Sequence, residues 1–418
     1  PNVWYNGPFT KDGITLVAAS ESVINNYFAN TTAPADFTSV PQAIQDSLEA
    51  GSGSTNYTDP NFKLPSDWRA QIAVDYRFDI PMLGENFSWT SELLYIKKQN
   101  EAVWYNTALN PLDDNGSLNY AADGIRLIQQ SIYEGDAAEN FDIMMTNSDD
   151  DGRSIIFTTS LAKDWDNGMS VSMNYAHQDV TENQVGSSSR NQSNYKYLSG
   201  VNRNQAFADT GHYQIEHSFK INLGYNTEVF EGYSTRINLF LERRSGRPFS
   251  WGMGMFRDDD FGDTEEFYSN GAYLPYIPNG ADDPNVDWDN SVSWDELSTV
   301  LDRAGVDACG CILDRNTGRQ PWVTTADLSI QQEIPGFVEG QKGTVYFTIA
   351  NLGNLLNKDW GVERRLSFAS VNLYDLGGLS DDGRYQIDPV FRGYDTRNYS
   401  QVDFSSAWRI KMGVRYSF

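Results

Sequence analysis

The chain ends on the stretch Ala407-Trp408-Arg409-Ile410-Lys411-Met412-Gly413-Val414-Arg415-Tyr416-Ser417-Phe418, in which apolar residues alternate with polar or small ones without a break. Side chains on a β-strand point to opposite faces with a period of two. Aromatic rings stand at both ends of the apolar set and aliphatic side chains in its middle, a pattern typical of a strand that crosses a bilayer. We therefore predict that one face of this strand looks into the membrane, through Trp408, Ile410, Met412, Val414, Tyr416 and Phe418.

The composition of the whole chain is compatible with more strands of this kind. Of the 418 residues, 13% are aromatic and 21% are charged, and the mean hydropathy is -0.53. No run of about 18 apolar residues occurs, so a membrane role would require alternating strands or a surface helix. The net charge of -26 argues against a nucleic-acid partner, since phosphate binding needs clustered Lys and Arg.

Similar alternation upstream predicts four hairpins before the terminal strand. They run over 68–78 and 87–95, over 155–165 and 169–175, over 213–225 and 235–241, and over 322–330 and 344–350. In the second hairpin, Asn167-Gly168 supplies the positive φ angles of a tight turn. In the last returning strand, one face is assigned to Thr344, Tyr346, Thr348 and Ala350. The terminal strand is then the ninth.

Connections within these pairs are short, whereas those between pairs span 107–152, 184–210, 251–318 and 353–404. Outer-membrane barrels have short periplasmic turns and long extracellular loops. We therefore predict an all-β chain that forms part of a transmembrane antiparallel β-barrel, with short helices in its extracellular loops. Nine strands is an odd number, and an unpaired edge in lipid is costly. We expect these residues to be the C-terminal part of a larger wall.

The long loops are acidic, with fifteen Asp or Glu against three Arg between Trp251 and Gly318. One interpretation is a solvated surface that keeps the loops extended. The other is divalent cation binding, because oxygen ligands alternate as they do at the start of a calcium loop, although the expected Gly and distal Glu are missing. Calcium is the one cofactor that the sequence suggests. Its candidate ligands are Asp283, Asn285, Asp287 and Asp289.

A cationic and aromatic cluster lies where a strand rises into the largest loop. It consists of Arg243, Arg244, Arg247, Phe249 and Trp251. Such a cluster at a barrel mouth could bind an anionic or sugar-like ligand. The alternative is a structural ladder of arginines inside the barrel.

Two short helices are expected within loops. Ser293 and Glu296 form a capping box that Gly305 would close at the other end. A second helix is predicted to begin at Ser39 and to end near Gly51.

The sequence contains no recognisable catalytic motif. Its three histidines stand near no nucleophile signature, and it has neither a phosphate-cradling glycine loop nor H-E-x-x-H. Cys309 and Cys311 are its two cysteines. A bridge between cysteines two apart would be strained, so free thiols and partners outside this sequence are the alternatives. We do not expect an enzyme.

The segment Asn351-Leu352-Gly353-Asn354-Leu355-Leu356-Asn357-Lys358-Asp359-Trp360 resembles the signature of the penultimate strand in TonB-dependent outer-membrane receptors, and a terminal strand ending in G-V-R-Y-S-F follows it as it does there. The stretches 61–65, 245–249 and 315–319 (N-F-K-L-P, S-G-R-P-F and R-N-T-G-R) resemble more narrowly the Oar-like branch of that family.

The resemblance implies a barrel of about 22 strands with a plugged lumen, of which this chain supplies the last nine. It implies import of a scarce solute (a peptide, a glycan or a metal chelate) across the bacterial outer membrane with energy relayed by TonB. The implied partners are outer-membrane lipid and lipopolysaccharide, and the TonB system through an N-terminal segment outside this sequence. A passive porin, an adhesin and, less favoured, a secreted β-sandwich are the alternatives.

Overall fold

The computed structural model describes residues 54–113, 115–134, 140–184, 186, 188–205, 207–255, 261–262, 273–338, 340–366, 370–388 and 399–417. Strands account for 53% of it and helices for 9%. No described helix is long and apolar enough to cross a membrane. The helix expected from Ser39 to Gly51 and the side chain of Phe418 lie outside the described residues.

The largest sheet is antiparallel and has ten strands, one of which, Asp209–Thr210, is a two-residue strand at its margin. The other nine form the wall, in which each strand pairs with its neighbours in order along the chain. They are β1 (Ser66–Ile80), β2 (Gly84–Gln99), β3 (Arg153–Asp164), β4 (Met169–Glu182), β5 (His217–Phe230), β6 (Tyr233–Arg244), β7 (Val323–Pro335), β8 (Lys342–Ala350) and β9 (Arg409–Ser417). The nine predicted strands are therefore present in the predicted order. Within the described residues β1 and β9 do not pair with each other, so the wall is open.

The pairing register places apolar side chains in continuous rows on one side of the wall. One row crosses from β4 to β9 through Val171, Leu223, Leu239, Leu328, Ile349 and Ile410. We call this side the apolar face, and many of its side chains are exposed, including Trp68 at 69%, Met412 at 70% and Val414 at 69%. The opposite side, the polar face, carries mainly polar and charged residues such as Asn174, Arg236 and Lys411.

The four residues that were assigned to one face of β8 do share a face, and it is the polar one. Val345, Phe347 and Ile349 are the partners of Val414, Met412 and Ile410, so these three residues lie on the apolar face. Thr344, Tyr346, Thr348 and Ala350 share the polar face instead. Alternation alone could not separate the two sets, because threonines and an aromatic ring suit either face.

The four connections within the pairs are short, as predicted, and Gly168 shows why one of them needs glycine. Its φ is 84°, and an added Cβ would lie 1.9 Å from the backbone oxygen of Asn226. The two backbones meet there because the N–H of Asn226 donates a 2.8 Å hydrogen bond to the oxygen of Gly168. A turn of one hairpin is thus joined to the next hairpin.

The long connections contain most of the remaining elements. Short strands lie at Thr55–Thr58, Ala102–Asn106, Leu109–Asn110, Gln130–Ser131, Asp142–Asn147, Asp209–Thr210, Pro248–Met255, Tyr276–Ile277, Cys311–Ile312, Gly318–Arg319, Arg364–Arg365, Ser370–Leu379, Tyr385–Ile387 and Ser400–Gln401. The helices are α1 (Asn191–Lys196), a 3-10 turn at Trp288–Asn290, α2 (Trp294–Ala304), α3 (Leu352–Leu356) and α4 (Asp403–Ser406).

The structure confirms the predicted helix after Ser293. Both halves of the capping box are formed with Glu296, and Gly305 ends α2 in the left-handed conformation. Leu297, Val300 and Leu301 are the buried residues of α2. Cys309 and Cys311 form a disulfide bond, so the free-thiol alternative does not describe this structure.

The solvated-surface interpretation predicted extended loops. The structure shows packed loops instead. The first, third and fourth long loops share a hydrophobic core, in which Ile277 and Tyr374 are fully buried. We call the four packed loops together the loop layer, and Leu274 is also fully buried there. The parallel pairing of Pro248–Met255 with Ser370–Leu379 joins the third long loop to the fourth. The main core cluster includes Phe249, Trp251, Met253, Phe261, Tyr273, Tyr276, Ile277, Val286, Leu297, Leu301, Leu373, Tyr374, Leu376, Tyr385 and Ile387.

The segment that carries the family resemblance begins where β8 ends. Asn351 adopts a left-handed backbone (φ 54°), and its N–H donates a 2.7 Å hydrogen bond to Oδ1 of Asp327 on β7. Its side-chain amide donates to the backbone oxygens of Gly361 at 2.9 Å and Ser406 at 2.7 Å. Asn351 therefore connects the wall to the segment that leads into β9.

Candidate functional site

Arg126 holds the loop layer together from its centre. Its side chain is fully buried, and Nε donates a 3.0 Å hydrogen bond to Oη of Tyr385. Its two terminal nitrogens donate to the backbone oxygens of Val201, at 2.8 Å, and Leu274. One side chain of the first long loop thus contacts the other three, so the loops have a fixed relative arrangement in which a site can be built.

The three predicted arginines do not meet around one space. Arg243 lies over the ring of Trp322, with 5.2 Å between Cζ and the ring centroid. Arg244, the next residue of β6, forms a 2.9 Å ion pair with the buried carboxylate of Glu363. Arg247 lies over the ring of Tyr213 at 5.2 Å. Each guanidinium has a different partner, and a ligand-binding role for them stays a prediction.

Phe249 and Trp251 belong to the core of the loop layer. Their side chains are 1% and 4% exposed and pack edge to face, with 4.9 Å between ring centroids. Phe249 also pairs with Gly318 through the backbone, which brings together two of the stretches that carry the Oar-like resemblance. In this arrangement neither ring offers an open face to a solute.

The predicted calcium ligands serve other groups in the structure. The buried carboxylate of Asp283 accepts hydrogen bonds from Oη of Tyr276 at 3.1 Å and from the backbone N–H of Asn285 at 2.9 Å. The Asp287 carboxylate accepts from Asn290 and Gln386, both at 2.9 Å, and these bonds hold the pKa of Asp287 below its usual range. Asp289 is exposed. Calcium binding here stays a prediction.

Burial and hydrogen bonding change the pKa of Tyr276, which lies beside Asp283. Burial raises the pKa of Tyr276 to about 12, although the side-chain amide of Asn285 acts in the opposite direction. Tyr276 therefore remains a protonated donor to Asp283 at neutral pH. The arrangement stabilises the turn before α2, and it explains the alternation of oxygen-bearing residues without an ion.

A cavity of about 140 Å³ lies between the end of β4 and the loop layer. None of the predicted site residues lines it, although Ser250 comes from the same strand as Phe249 and Trp251. The lining residues come from the second and third long loops and from the end of β4: Glu182, Asn183, Gln184, Ser193, Asn194, Tyr197, Leu198, Ser199, Thr210, His212, Tyr213, Ser250, Arg315 and Asn316.

Four polar atoms of this lining are buried and have no hydrogen-bond partner among the described residues. They are Oδ1 of Asn183, Oε1 of Gln184, Nδ1 of His212 and Nε of Arg315. The Asn183 and Arg315 side chains are only 2% and 5% exposed. Unpaired buried polar atoms are costly, so four of them around one cavity indicate a place for a polar guest or for ordered water.

The other atoms of the same side chains are firmly held. The side-chain nitrogen of Asn183 donates to Oε2 of Glu101 at 3.2 Å. The side-chain nitrogen of Gln184 donates to the backbone oxygen of Asn194. Both amide oxygens therefore have a defined orientation. The two terminal nitrogens of Arg315 donate to the backbone oxygens of Asn183 and Glu182. Only Nε of its guanidinium is left over. The side chains that line the cavity therefore hold two unpaired acceptors, one unpaired donor and an imidazole nitrogen at fixed positions.

Burial controls the charge of the cavity. It lowers the pKa of His212 below its ordinary value, and nearby Arg247 and Arg315 lower it further while Glu182 opposes them. Burial also lowers the pKa of Arg315, although Asp209 and Glu182 favour its charged form. The imidazole is thus neutral at pH 7, and the guanidinium remains a cation.

Two tyrosine rings lie at the rim of the cavity. Tyr197 is 56% exposed and Tyr213 is 52% exposed. Sequence reasoning missed this site because its atoms come from loops about a hundred residues apart. The stretch Arg315-Asn316, already noted for its family resemblance, was the available signal, since an arginine followed by an asparagine in a turn can bond several loops at once.

The terminal strand lies where the sequence predicted it, with Trp408 just before β9. Trp408 and Ile410 are each 46% exposed, and Tyr416 is partly exposed. Oη of Tyr416 accepts a 2.9 Å hydrogen bond from the backbone N–H of Phe337, in the turn between β7 and β8. The exposed apolar side chains on β9 are compatible with contact to lipid, which stays a prediction.

No protein-family model matches the chain, and no curated protein matches its sequence.

Proposed function

We propose that this chain is part of an outer-membrane β-barrel receptor that imports a scarce solute with energy from the TonB system. The observation that carries the proposal is the two-sided wall. Its apolar face has exposed aliphatic and aromatic rows across the sheet, and its opposite face is polar. A water-exposed apolar surface of this extent is unusual for a protein in water, whereas lipid is a suitable environment for it.

The packed loop layer supports a receptor over a passive pore. A porin needs an open mouth, whereas here Arg126 bonds to the other three loops, and the first, third and fourth loops share a core. A rigid layer at one end of a barrel can hold polar groups in place for a ligand. An adhesin would also use such a layer, so energy-dependent uptake is the property that distinguishes the two functions.

Among peptides, glycans and metal chelates, the cavity favours a glycan. Sugar hydroxyls both donate and accept hydrogen bonds, so one ring could satisfy the amide oxygens of Asn183 and Gln184 and the Nε donor of Arg315. The rim rings of Tyr197 and Tyr213 could stack on the apolar side of a sugar. An anionic chelate would be less well served, because two of the four atoms are acceptors.

The binding test uses the purified protein in detergent and a panel of neutral oligosaccharides, with short peptides and a ferric siderophore as comparison arms. We expect saturable binding of an oligosaccharide, weakened at least tenfold in Gln184→Leu and Tyr213→Ala. Tyr120→Ala is the matched control, since Tyr120 is an exposed loop tyrosine outside the cavity and should bind as the wild type does. Binding unaffected by the two cavity substitutions would reject the assignment of the cavity.

The transport test is separate. Cells producing the protein should take up the oligosaccharide that binds, and uptake should stop when TonB is inactivated. Uptake that continues without TonB would favour a porin, and binding without uptake would favour an adhesin. A protein that is extracted without detergent would contradict all three membrane functions.

A further inference from the structure

Three metal-ligating side chains meet where β4 and β5 join the long loops. His177 on β4 is the direct cross-strand partner of His217 on β5, and their ring centroids are 5.0 Å apart. Glu216 precedes His217 in the chain. One ligand atom from each of the three side chains lies within 4.8 Å of the other two, which is the one such group of His, Cys, Asp or Glu among the described residues.

The proton on the His177 ring can be assigned from its hydrogen bond. Nδ1 lies 3.0 Å from the backbone oxygen of Glu216. A carbonyl oxygen only accepts, so Nδ1 must carry the hydrogen, and Nε2 of a neutral ring then has the free lone pair. Metal-binding histidines are usually oriented in this way, with the other ring nitrogen bound to a carbonyl or carboxylate.

His217 is held in a similar manner. Its Nδ1 lies 2.9 Å from Oη of Tyr175, and its ring is parallel to that of Trp322 within 5°. Its Nε2 lies 3.6 Å from Oε1 of Glu216. The other carboxylate oxygen, Oε2, is 3.3 Å from the guanidinium of Arg319. Oε1 and both Nε2 atoms are therefore the atoms that remain for a shared ligand.

We propose that Nε2 of His177, Nε2 of His217 and Oε1 of Glu216 bind a divalent transition-metal ion, with Zn²⁺ as the first candidate. Imidazole and carboxylate at about 2.0–2.2 Å are ordinary zinc ligands, and a tetrahedral site places them about 3.4 Å apart. Nε2 of His217 and Oε1 of Glu216 are already 3.6 Å apart, and the three side chains offer ligand atoms within 4.8 Å of one another. The Glu216 and His217 side chains are 36% and 34% exposed, so an ion can reach them, and the fourth position is left for water or an exogenous ligand.

Such an ion would join two strands of the wall beside the loop layer. It lies on the apolar face, next to the end of β4 that also supplies Glu182 to the cavity. Two nearby cations, Arg319 and the Arg243 that lies over Trp322, repel a metal ion. The affinity of the site for the ion therefore depends on all three ligands acting together.

The test is titration of the chelator-treated, detergent-purified protein with ZnCl₂ by calorimetry, and with Co²⁺ by visible absorption. We expect one Zn²⁺ per chain and a Co²⁺ spectrum of low coordination number. His177→Ala and His217→Ala should each weaken binding at least tenfold, and Glu216→Gln should weaken it less. Ca²⁺ and Mg²⁺ should not compete, because they prefer oxygen ligands.

Glu231→Gln is the matched control, since it removes an exposed turn carboxylate that is none of the three ligands. Circular dichroism and gel mobility identify any variant that fails to fold. Such a variant is replaced in the test by Tyr175→Phe, which should weaken binding several-fold. Zinc bound equally by the wild type and His177→Ala, or lost equally in Glu231→Gln, would overturn the proposal. The oligosaccharide experiments are independent of this result, because none of the three ligands lines the cavity.

Discussion

Arg126 and Tyr385 are 259 residues apart in sequence, and their side chains share a 3.0 Å hydrogen bond in the middle of the loop layer. Oη of Tyr385 in turn donates a 2.7 Å hydrogen bond to Oδ2 of Asp123. The phenol therefore accepts from a cation and donates to an anion. Burial, the largest influence, raises the pKa of Tyr385 well above its usual range, so the phenol stays protonated as this network requires.

Replacing Arg126 should loosen the loop layer while the wall stays folded. Arg126→Met leaves three buried acceptors without their charged donor, and each such bond contributes about 1.5–3 kcal/mol. We expect the layer to lose on the order of 5 kcal/mol, seen as faster amide hydrogen exchange and protease cleavage between the wall strands. Arg126→Lys should be intermediate, since an ammonium cannot reproduce the guanidinium fork.

The control for this change is Arg384→Met, beside Tyr385 in the same layer. Arg384 forms a 2.8 Å ion pair with Asp382 on the exposed surface, and surface pairs contribute little. Exchange rates in Arg384→Met should match those of the wild type. Equal protection in Arg126→Met and the wild type would show that the guanidinium does not join the loops.

A second prediction concerns the turn at Gly168. Gly168→Ala would place a methyl group 1.9 Å from the oxygen of Asn226 and would also strain a backbone at φ 84°. Gly232→Ala is the matched control, because Gly232 has φ 80° but nothing within 4 Å of the added atom. We expect Gly232→Ala to cost about 1 kcal/mol and Gly168→Ala clearly more. Denaturant unfolding in detergent measures both, and equal costs would contradict the close approach.

The part of the fold that could be predicted from the sequence is the part set by local patterns. Alternation located the nine wall strands, and the Ser293 and Glu296 pair located the start of α2. The face of β8 could not be read from alternation and required its pairing with β9. The loop core and the cavity depend on contacts such as Arg126 with Tyr385, which leave no periodic signal in either segment.

The pH dependence of the cavity follows from His212. Its pKa is lowered by burial in the folded protein, whereas the unfolded chain titrates near the ordinary value of 6.5. Below pH 6.5 the unfolded state therefore binds more protons, so the contribution of His212 to stability is fully present above pH 6.5 and decreases as the pH falls towards the folded pKa. Protease protection of the loop layer should decline over this range.

The substitution His212→Gln isolates this contribution from that of the carboxylates. The variant keeps a polar side chain but cannot titrate, so its protection should depend less on pH between about 8 and 5 than that of the wild type. Identical pH profiles would mean that the imidazole is solvated in the folded protein. A steeper profile in the variant would also contradict the assignment.

The claim that the apolar face contacts lipid can be tested at four neighbouring positions of β9. Nitroxide labels on Met412→Cys and Val414→Cys, in protein reconstituted into bilayers, should be relaxed by oxygen, which concentrates in hydrocarbon. Labels on Lys411→Cys and Arg415→Cys should instead be relaxed by a water-soluble nickel chelate. The native cysteines are bonded to each other and will not take the label. Nickel relaxation that is equal at all four positions, or labels at 412 and 414 shielded from both reagents, would contradict a membrane-facing wall.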